Sequence, residues 1–225
     1  MNELIIQSDP KSSMSEAIRT LRTNLQFSSV DKKIKTILVT SSVPSEGKSF
    51  IAANLAVAFA DSGSKVLLVD SDVRKGRQHT IFNRHNKKGL SNLLLKDVDE
   101  AYRNYIYDTE IKNLEIMFKG VTPPNPSELL NSDKNKQLVE ILKGEYDIVI
   151  FDGAPINGLP DSLVVGTLVD GVIIVTKEKS TSFALVEDTK KKLENVGANI
   201  LGVVLNNTEV KKNKYYGGYY GKYYE

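Results

Sequence analysis

The segment Ser42-Val43-Pro44-Ser45-Glu46-Gly47-Lys48-Ser49 limits the fold more than any other part of the chain. It meets the pattern G-x-x-x-x-G-K-[ST] from Gly47 onward, with Ser42 in place of the first glycine. Such a turn points backbone N–H groups at anionic oxygens and hands them to the N-terminus of a helix. Gly47 permits close backbone approach, Lys48 reaches the β and γ phosphates, and the Ser49 hydroxyl can ligate Mg²⁺. The flanks fit: Thr36-Ile37-Leu38-Val39-Thr40 reads as a buried strand, and residues 48–62 as a helix stopped by Gly63.

The remaining pattern repeats that alternation. Apolar strands are expected at 66–69, 114–118, 148–151, 172–175 and 200–205, with helices at 127–142, 159–169 and 183–196. Residues 14–27 read as a leading helix, with Ser13 and Glu16 as an S-x-x-E capping box and Met14, Ile18, Leu21 and Leu25 at helical spacing. Continuous apolar strands between helices imply a mostly parallel sheet covered on both faces, the three-layer α-β-α fold of P-loop NTPases. Ligands then bind beyond the carboxyl ends of the strands. The 225 residues suit one domain, residues 1–210, followed by a tail at 211–225.

Two acidic strand ends supply the expected metal ligands. Val66-Leu67-Leu68-Val69-Asp70-Ser71-Asp72 places two carboxylates after one strand, and Ile148-Val149-Ile150-Phe151-Asp152 places another. A lone aspartate after a strand is commonly a cap. Three beside a G-K-S loop point to Mg-ATP. Ser49, Asp72 and Asp152 are the candidate metal ligands, and either Asp70 or Asp72 could take a proton from an attacking hydroxyl.

Six of the ten tyrosines lie in the last eleven residues, as Tyr215, Tyr216, Tyr219, Tyr220, Tyr223 and Tyr224. With glycine between the pairs and no aliphatic residue, this segment reads as a flexible tail that exposes phenolic hydroxyls. Extended, residues 211–225 span about 50 Å at roughly 3.4 Å per residue, enough to reach their own site or a neighbour's. The alternative is an aromatic sticker for self-association.

Composition narrows the rest. The absence of cysteine excludes disulfides and thiolate metal sites. A net charge of +2 argues against a dedicated nucleic-acid binder. No apolar run reaches the roughly 18 to 20 residues of a membrane span, and the opening residues do not read as a signal peptide.

With the loop, the segment Val69-Asp70-Ser71-Asp72-Val73-Arg74 and the tyrosine tail in view, the chain resembles the bacterial tyrosine kinases. In particular it resembles the separate kinase subunit of Gram-positive capsule and exopolysaccharide systems. Glu16-Ala17-Ile18-Arg19-Thr20-Leu21-Arg22 matches that family's E-x-x-R-x-x-R self-association helix. Gly120-Val121-Thr122-Pro123-Pro124-Asn125-Pro126-Ser127-Glu128-Leu129-Leu130 matches its proline-bounded loop. Three departures stand out: Ser45 where many members have glycine, Phe50 where a small or hydroxyl residue is common, and Gly153-Ala154-Pro155 after Asp152.

The resemblance implies an ATP- and Mg²⁺-dependent protein-tyrosine kinase with Lys48, Asp70 and Asp72 as its catalytic residues. Pro44, Ser45, Glu46, Gly47, Lys48, Ser49 and Phe50 would hold the phosphates, with Asn206 at the adenine. The six tail tyrosines would be the phosphoacceptors, modified mainly between subunits of a ring-shaped homo-oligomer, an octamer by the family's pattern. On spacing alone Glu16, Arg19 and Arg22 read as a solvated helix face; the resemblance reverses this and implies that they pair across subunits. The implied partners are the cytoplasmic segment of a transmembrane polysaccharide co-polymerase-type adaptor, a cognate tyrosine phosphatase and other protein substrates. The implied location is cytoplasmic, at the inner face of the membrane. Arg74-Lys75-Gly76-Arg77 is either a phosphate clamp or a solvated loop, and His79 and His85 lack partners at metal spacing. The rival reading is an ATPase switch of the partitioning and septum-positioning type, which usually opens its loop with a lysine where this chain has Thr40-Ser41-Ser42.

Overall fold

In a computed structural model describing residues 3–27 and 33–208, the apolar runs become six strands of one seven-stranded sheet. The chain runs α1 (Ile5–Ser8), α2 (Ser13–Phe27), β1 (Thr36–Ser41), α3 (Lys48–Asp61), β2 (Val66–Asp70), α4 (Gln78–Ile81), α5 (Leu90–Leu93) and α6 (Val98–Ala101). A 3₁₀ turn (Tyr102–Tyr105) leads to β3 (Tyr107–Asp108), β4 (Leu114–Met117), α7 (Pro126–Leu130), α8 (Asp133–Glu145) and β5 (Ile148–Asp152). The last described elements are α9 (Asp161–Gly166), β6 (Gly171–Lys177), α10 (Phe183–Asn195) and β7 (Ile200–Asn206). The strand order is β3-β4-β2-β5-β1-β6-β7, parallel throughout except for β3 against β4.

Strands β1, β2 and β5 are buried at every position, so they read as unbroken apolar runs. The period of two still sorts their side chains. Ile37, Val39, Val66, Leu68 and Ile150 enter one core with α1, α2 and α3. Leu38, Leu67, Val69, Val149 and Phe151 enter the other with α5, α6, α8 and α9. Two cores on either side of one sheet make the three-layer architecture that the alternation predicts. Helix α3 is apolar nearly all round, with Ala52, Ala53, Leu55, Ala56 and Phe59 buried. It therefore lies between the sheet and α2 rather than on the surface.

Four local expectations change. The cap of α2 is Ser12, not Ser13: Ser12 Oγ accepts from Ser15 N at 3.2 Å, and the Glu16 carboxylate pairs with Arg19 instead of reaching back. Residues 127–142 form two helices. Ser132 caps the second by accepting from Asn135 N at 3.3 Å, and the Asn135 carboxamide locks the break by donating to Leu130 O at 2.7 Å. Helix α9 is shorter than residues 159–169: it starts late because Pro160 occupies its N-cap, and it ends at Gly166. Strand β3, a two-residue antiparallel edge, has no counterpart among the expected strands.

The sheet aligns the site. Asp70 and Asp152 are register partners on β2 and β5, and β1 beside them feeds the phosphate loop. No helix among the described residues is long and apolar enough to cross a membrane.

Candidate active site

The loop between β1 and α3 turns on two left-handed residues, Ser45 at φ 67° and Gly47 at φ 95°. Glycine is required at the second: a Cβ there would stand 2.0 Å from Asn206 Nδ2. Asn206, the last residue of β7, donates from Nδ2 to Glu46 O at 2.9 Å and so braces the loop from behind. The Glu46 side chain turns inward, accepting from Val43 N at 2.8 Å, from Lys177 N at 3.3 Å and from the Thr181 hydroxyl. Its carboxylate buckles the loop to β6, leaving only its backbone for a nucleotide. Ser42, which replaces the pattern's first glycine, is buried and accepts from Thr189 Oγ1 at 2.9 Å.

Lys48 opens α3 and its ammonium bends into the acids. Nζ lies 3.1 Å from Asp72 Oδ2 and 3.8 Å from Asp152 Oδ1. Burial opposes protonation of Lys48, but Asp152 and Asp72 outweigh it and hold its pKa above the usual lysine value. Burial raises the Asp152 carboxyl, against the pull of Lys48 and the hydrogen bonds from Ser49 and Gln78. Asp70 is pushed well above the carboxylate range, first by burial and next by the charge of Asp152.

The two candidate bases are thereby separated. Asp72 accepts from Lys75 N at 2.9 Å and lines the cleft. Asp70 lies sealed beneath Gly76, where a Cβ would come within 2.0 Å of its Oδ1.

The cleft, about 420 Å³, is floored by Pro44, Ser45, Gly47, Lys48, Ser49 and Phe50, with Asp72, Arg74, Lys75 and Arg77 along one wall. Pro155 and Leu159 face them, so the Gly153-Ala154-Pro155 departure shapes the opposite wall. The two arginines of the 74–77 segment are neither free nor simply solvated. Arg74 Nε lies 2.6 Å from the buried Asp161, and Ser127 Oγ donates to the same carboxylate at 2.6 Å. Arg77 pairs with Glu3 at 2.6 Å.

These residues fit Mg-nucleotide. Asp152 Oδ1 is buried without a hydrogen-bond partner, with the Lys48 ammonium no nearer than 3.8 Å, an arrangement that hard oxygen coordination would satisfy. The loop's close approach at Gly47 and the N-terminus of α3 suit polyphosphate.

Other sequence candidates lie apart from the cleft. Helix α2 packs Ile18 and Leu25 into the core, and Arg22 donates to Ala58 O at 3.3 Å. The six tail tyrosines and the segment 211–225 lie outside the described residues. No group of histidines and carboxylates among the described residues is arranged as a metal cluster by itself. The sequence reading missed Gln78, which is fully buried against both strand-end acids. Its only signal is its place soon after the acidic strand end.

Sheet, loop and strand-end acids together define a P-loop nucleotide-binding protein, and a family described as an AAA domain matches residues 34–201. The putative tyrosine-protein kinase CapB of Staphylococcus aureus is 37% identical over 99% of this chain and 96% of its own. Tyrosine-protein kinase YwqD of Bacillus subtilis is 40% identical over 97% of this chain and 91% of its own. The chain belongs to the bacterial tyrosine kinases and is an ATP-dependent enzyme of that family. The crystal structure of the chimerical protein CapA2B2 superposes with a TM-score of 0.87 at 41% identity, over 92% of this chain and 91% of that one. The septum site-determining protein MinD of Pyrococcus horikoshii, solved with Mg-ADP, is more distant, with a TM-score of 0.63 at 25% identity. It covers 79% of this chain and 72% of its own.

Proposed function

We propose that this chain transfers the γ-phosphoryl group of Mg-ATP to tyrosines of its own C-terminal cluster, mainly from one copy to another, and thereby regulates synthesis and export of a capsular or extracellular polysaccharide. The observation that carries the chemistry is the meeting of Lys48 with Asp72 and Asp152 at the start of α3. Lys48 and the loop N–H groups hold the phosphates. Ser49 and Asp152 would hold Mg²⁺, directly or through water. Bound Mg²⁺ neutralises charge on the β and γ phosphate oxygens.

Asp72 is the better candidate for the proton, because it lines the cleft whereas Asp70 is sealed under Gly76. The phenolic oxygen forms its bond to phosphorus as the bond to the β,γ-bridging oxygen breaks. ADP leaves, and the phenol proton passes to Asp72. A loose transition state tolerates late proton loss, so a weak but positioned base suffices.

The domain extends over residues 1–210, with 211–225 as the acceptor segment. Glu16, Arg19 and Arg22 of α2 form the contact between copies in a ring. The adaptor's cytoplasmic segment recruits the chain to the membrane and activates it, and a cognate phosphatase resets the tail. Transfer between copies is tested by mixing Lys48→Met chains with wild-type chains whose tail tyrosines are all phenylalanine. Phosphate on the Lys48→Met tail is the expected result. An unlabelled tail in that mixture, alongside labelling in the intact wild type, would restrict transfer to within one copy.

A further inference from the structure

Gln78 begins α4 and is wholly buried between the two strand-end acids. Its backbone N–H donates to Asp70 Oδ2 at 3.0 Å. Its side-chain Nε2 donates to Asp152 Oδ2 at 2.8 Å and to Ser49 O at 3.0 Å. Nε2 thus stands between two acceptors, and a carboxamide fits there in one orientation only. The flipped form would set Oε1 against a carboxylate and a carbonyl.

These bonds occupy Oδ2 of both acids. Asp70 Oδ1, Asp152 Oδ1 and Gln78 Oε1 remain, each buried without a hydrogen-bond partner. The other such side-chain atoms among the described residues are both nitrogens, Arg22 Nε and His79 Nδ1. The Lys48 ammonium reaches Asp152 Oδ1 only at 3.8 Å, beyond hydrogen-bond range. Three oxygens without a hydrogen bond, on two acids and the amide that joins them, point to a further cationic occupant, since buried acceptors are rarely left unsatisfied.

We propose that Gln78 is a positioning residue for the divalent cation that accompanies the nucleotide. By engaging Asp152 Oδ2, it leaves Asp152 Oδ1 to the ion or its water shell, and by engaging Asp70 Oδ2 it fixes the sealed acid beside it. By holding Ser49 O, it ties the first turn of α3 to the same two strands. The residue type follows from the chemistry. Glutamate would add a third acidic group to a buried pair, and methionine would fill the space without a donor. This inference rests on the Mg-nucleotide site of the kinase reading, but it concerns metal binding and not tyrosine transfer.

The test uses the full chain with ADP and Mn²⁺ as the spin-active probe, comparing wild type with Gln78→Met. Mn²⁺ affinity in the presence of ADP should fall roughly 10- to 100-fold, the usual effect of losing a partner behind a metal ligand. Metal-free ADP affinity should fall by a clearly smaller factor, because Gln78 also holds the first turn of α3. Equal Mn²⁺ affinity in both proteins, or a parallel loss of metal-free ADP binding, would overturn the proposal. The wild type gives a second readout that does not depend on a variant folding. The Gln78 side-chain amide resonances should shift between ADP and Mg-ADP, and resonances that stay in place would also overturn it. Failure of tyrosine labelling would sink the kinase reading while leaving both metal measurements interpretable.

Discussion

A methyl group at position 47 would meet the Asn206 carboxamide at 2.0 Å and hold a non-glycine residue at φ 95°. Gly47→Ala should therefore cost on the order of 1 to 3 kcal/mol of stability and abolish tight ADP binding, read by urea denaturation and calorimetry. Retained affinity would mean that the loop re-forms elsewhere. Asp70 makes a different prediction. Burial first, and Asp152 next, hold its folded pKa well above the roughly 3.9 of an unfolded aspartate. Between those values the folded chain binds more protons than the unfolded one, so this contribution to stability falls as pH rises. Asp70→Asn should stabilise the ligand-free chain at neutral pH by about 1 to 2 kcal/mol, at the expense of function. The gain should disappear below about pH 4. A loss of stability at neutral pH, measured by thermal melting across pH, would contradict this.

At the scale of elements, Asp170 shows the opposite sign. It stands at the entry to β6 and accepts from Lys35 N at 2.9 Å, Thr36 N at 3.0 Å and Thr36 Oγ1 at 3.0 Å, pinning β1 to its neighbour, with Lys143 of α8 as its ion-pair partner. Burial raises its pKa, but the Lys143 and backbone hydrogen bonds outweigh this and the net direction is down. Its stabilisation is therefore full above the unfolded value and lost as pH falls through the folded one. Asp170→Asn should cost about 1.5 to 3 kcal/mol at pH 7, with the difference shrinking toward pH 3, in paired urea titrations. Strands β1, β2 and β5 were legible in the sequence because burial on both faces leaves no polar residue to interrupt their apolar runs. The break between α7 and α8 was hidden because Leu129, Leu130 and Leu138 continue a helical apolar pattern across it. Only the side chains of Ser132 and Asn135 reveal the stop. Strand β3 is two residues long and depends on its partner β4, so no local signal marks it.

For the whole molecule, the phosphate loop and the acids were readable because their chemistry is tied to their place in the sequence. Asp70, Asp72 and Asp152 follow apolar strands, and Lys48 follows the loop glycine. Gln78 was not readable, because its role comes from α4 folding back over the strand ends rather than from any spacing. Glu46 was assigned to nucleotide binding by its position in the loop, whereas its side chain holds the loop to β6. Reading the loop from its pattern could not show which side chains would face inward.

These residues are expected to move phosphate to tyrosine rather than to water. The most direct measurement is the fate of γ-³²P label from Mg-ATP, followed by phosphosite mass spectrometry, in wild type and Lys48→Met, with and without the adaptor's cytoplasmic segment. Label is expected on the tyrosines of 215–224 in wild type and none in the variant. Free phosphate from wild type with an unmodified tail, even with the adaptor segment present, would contradict it and favour an ATPase switch.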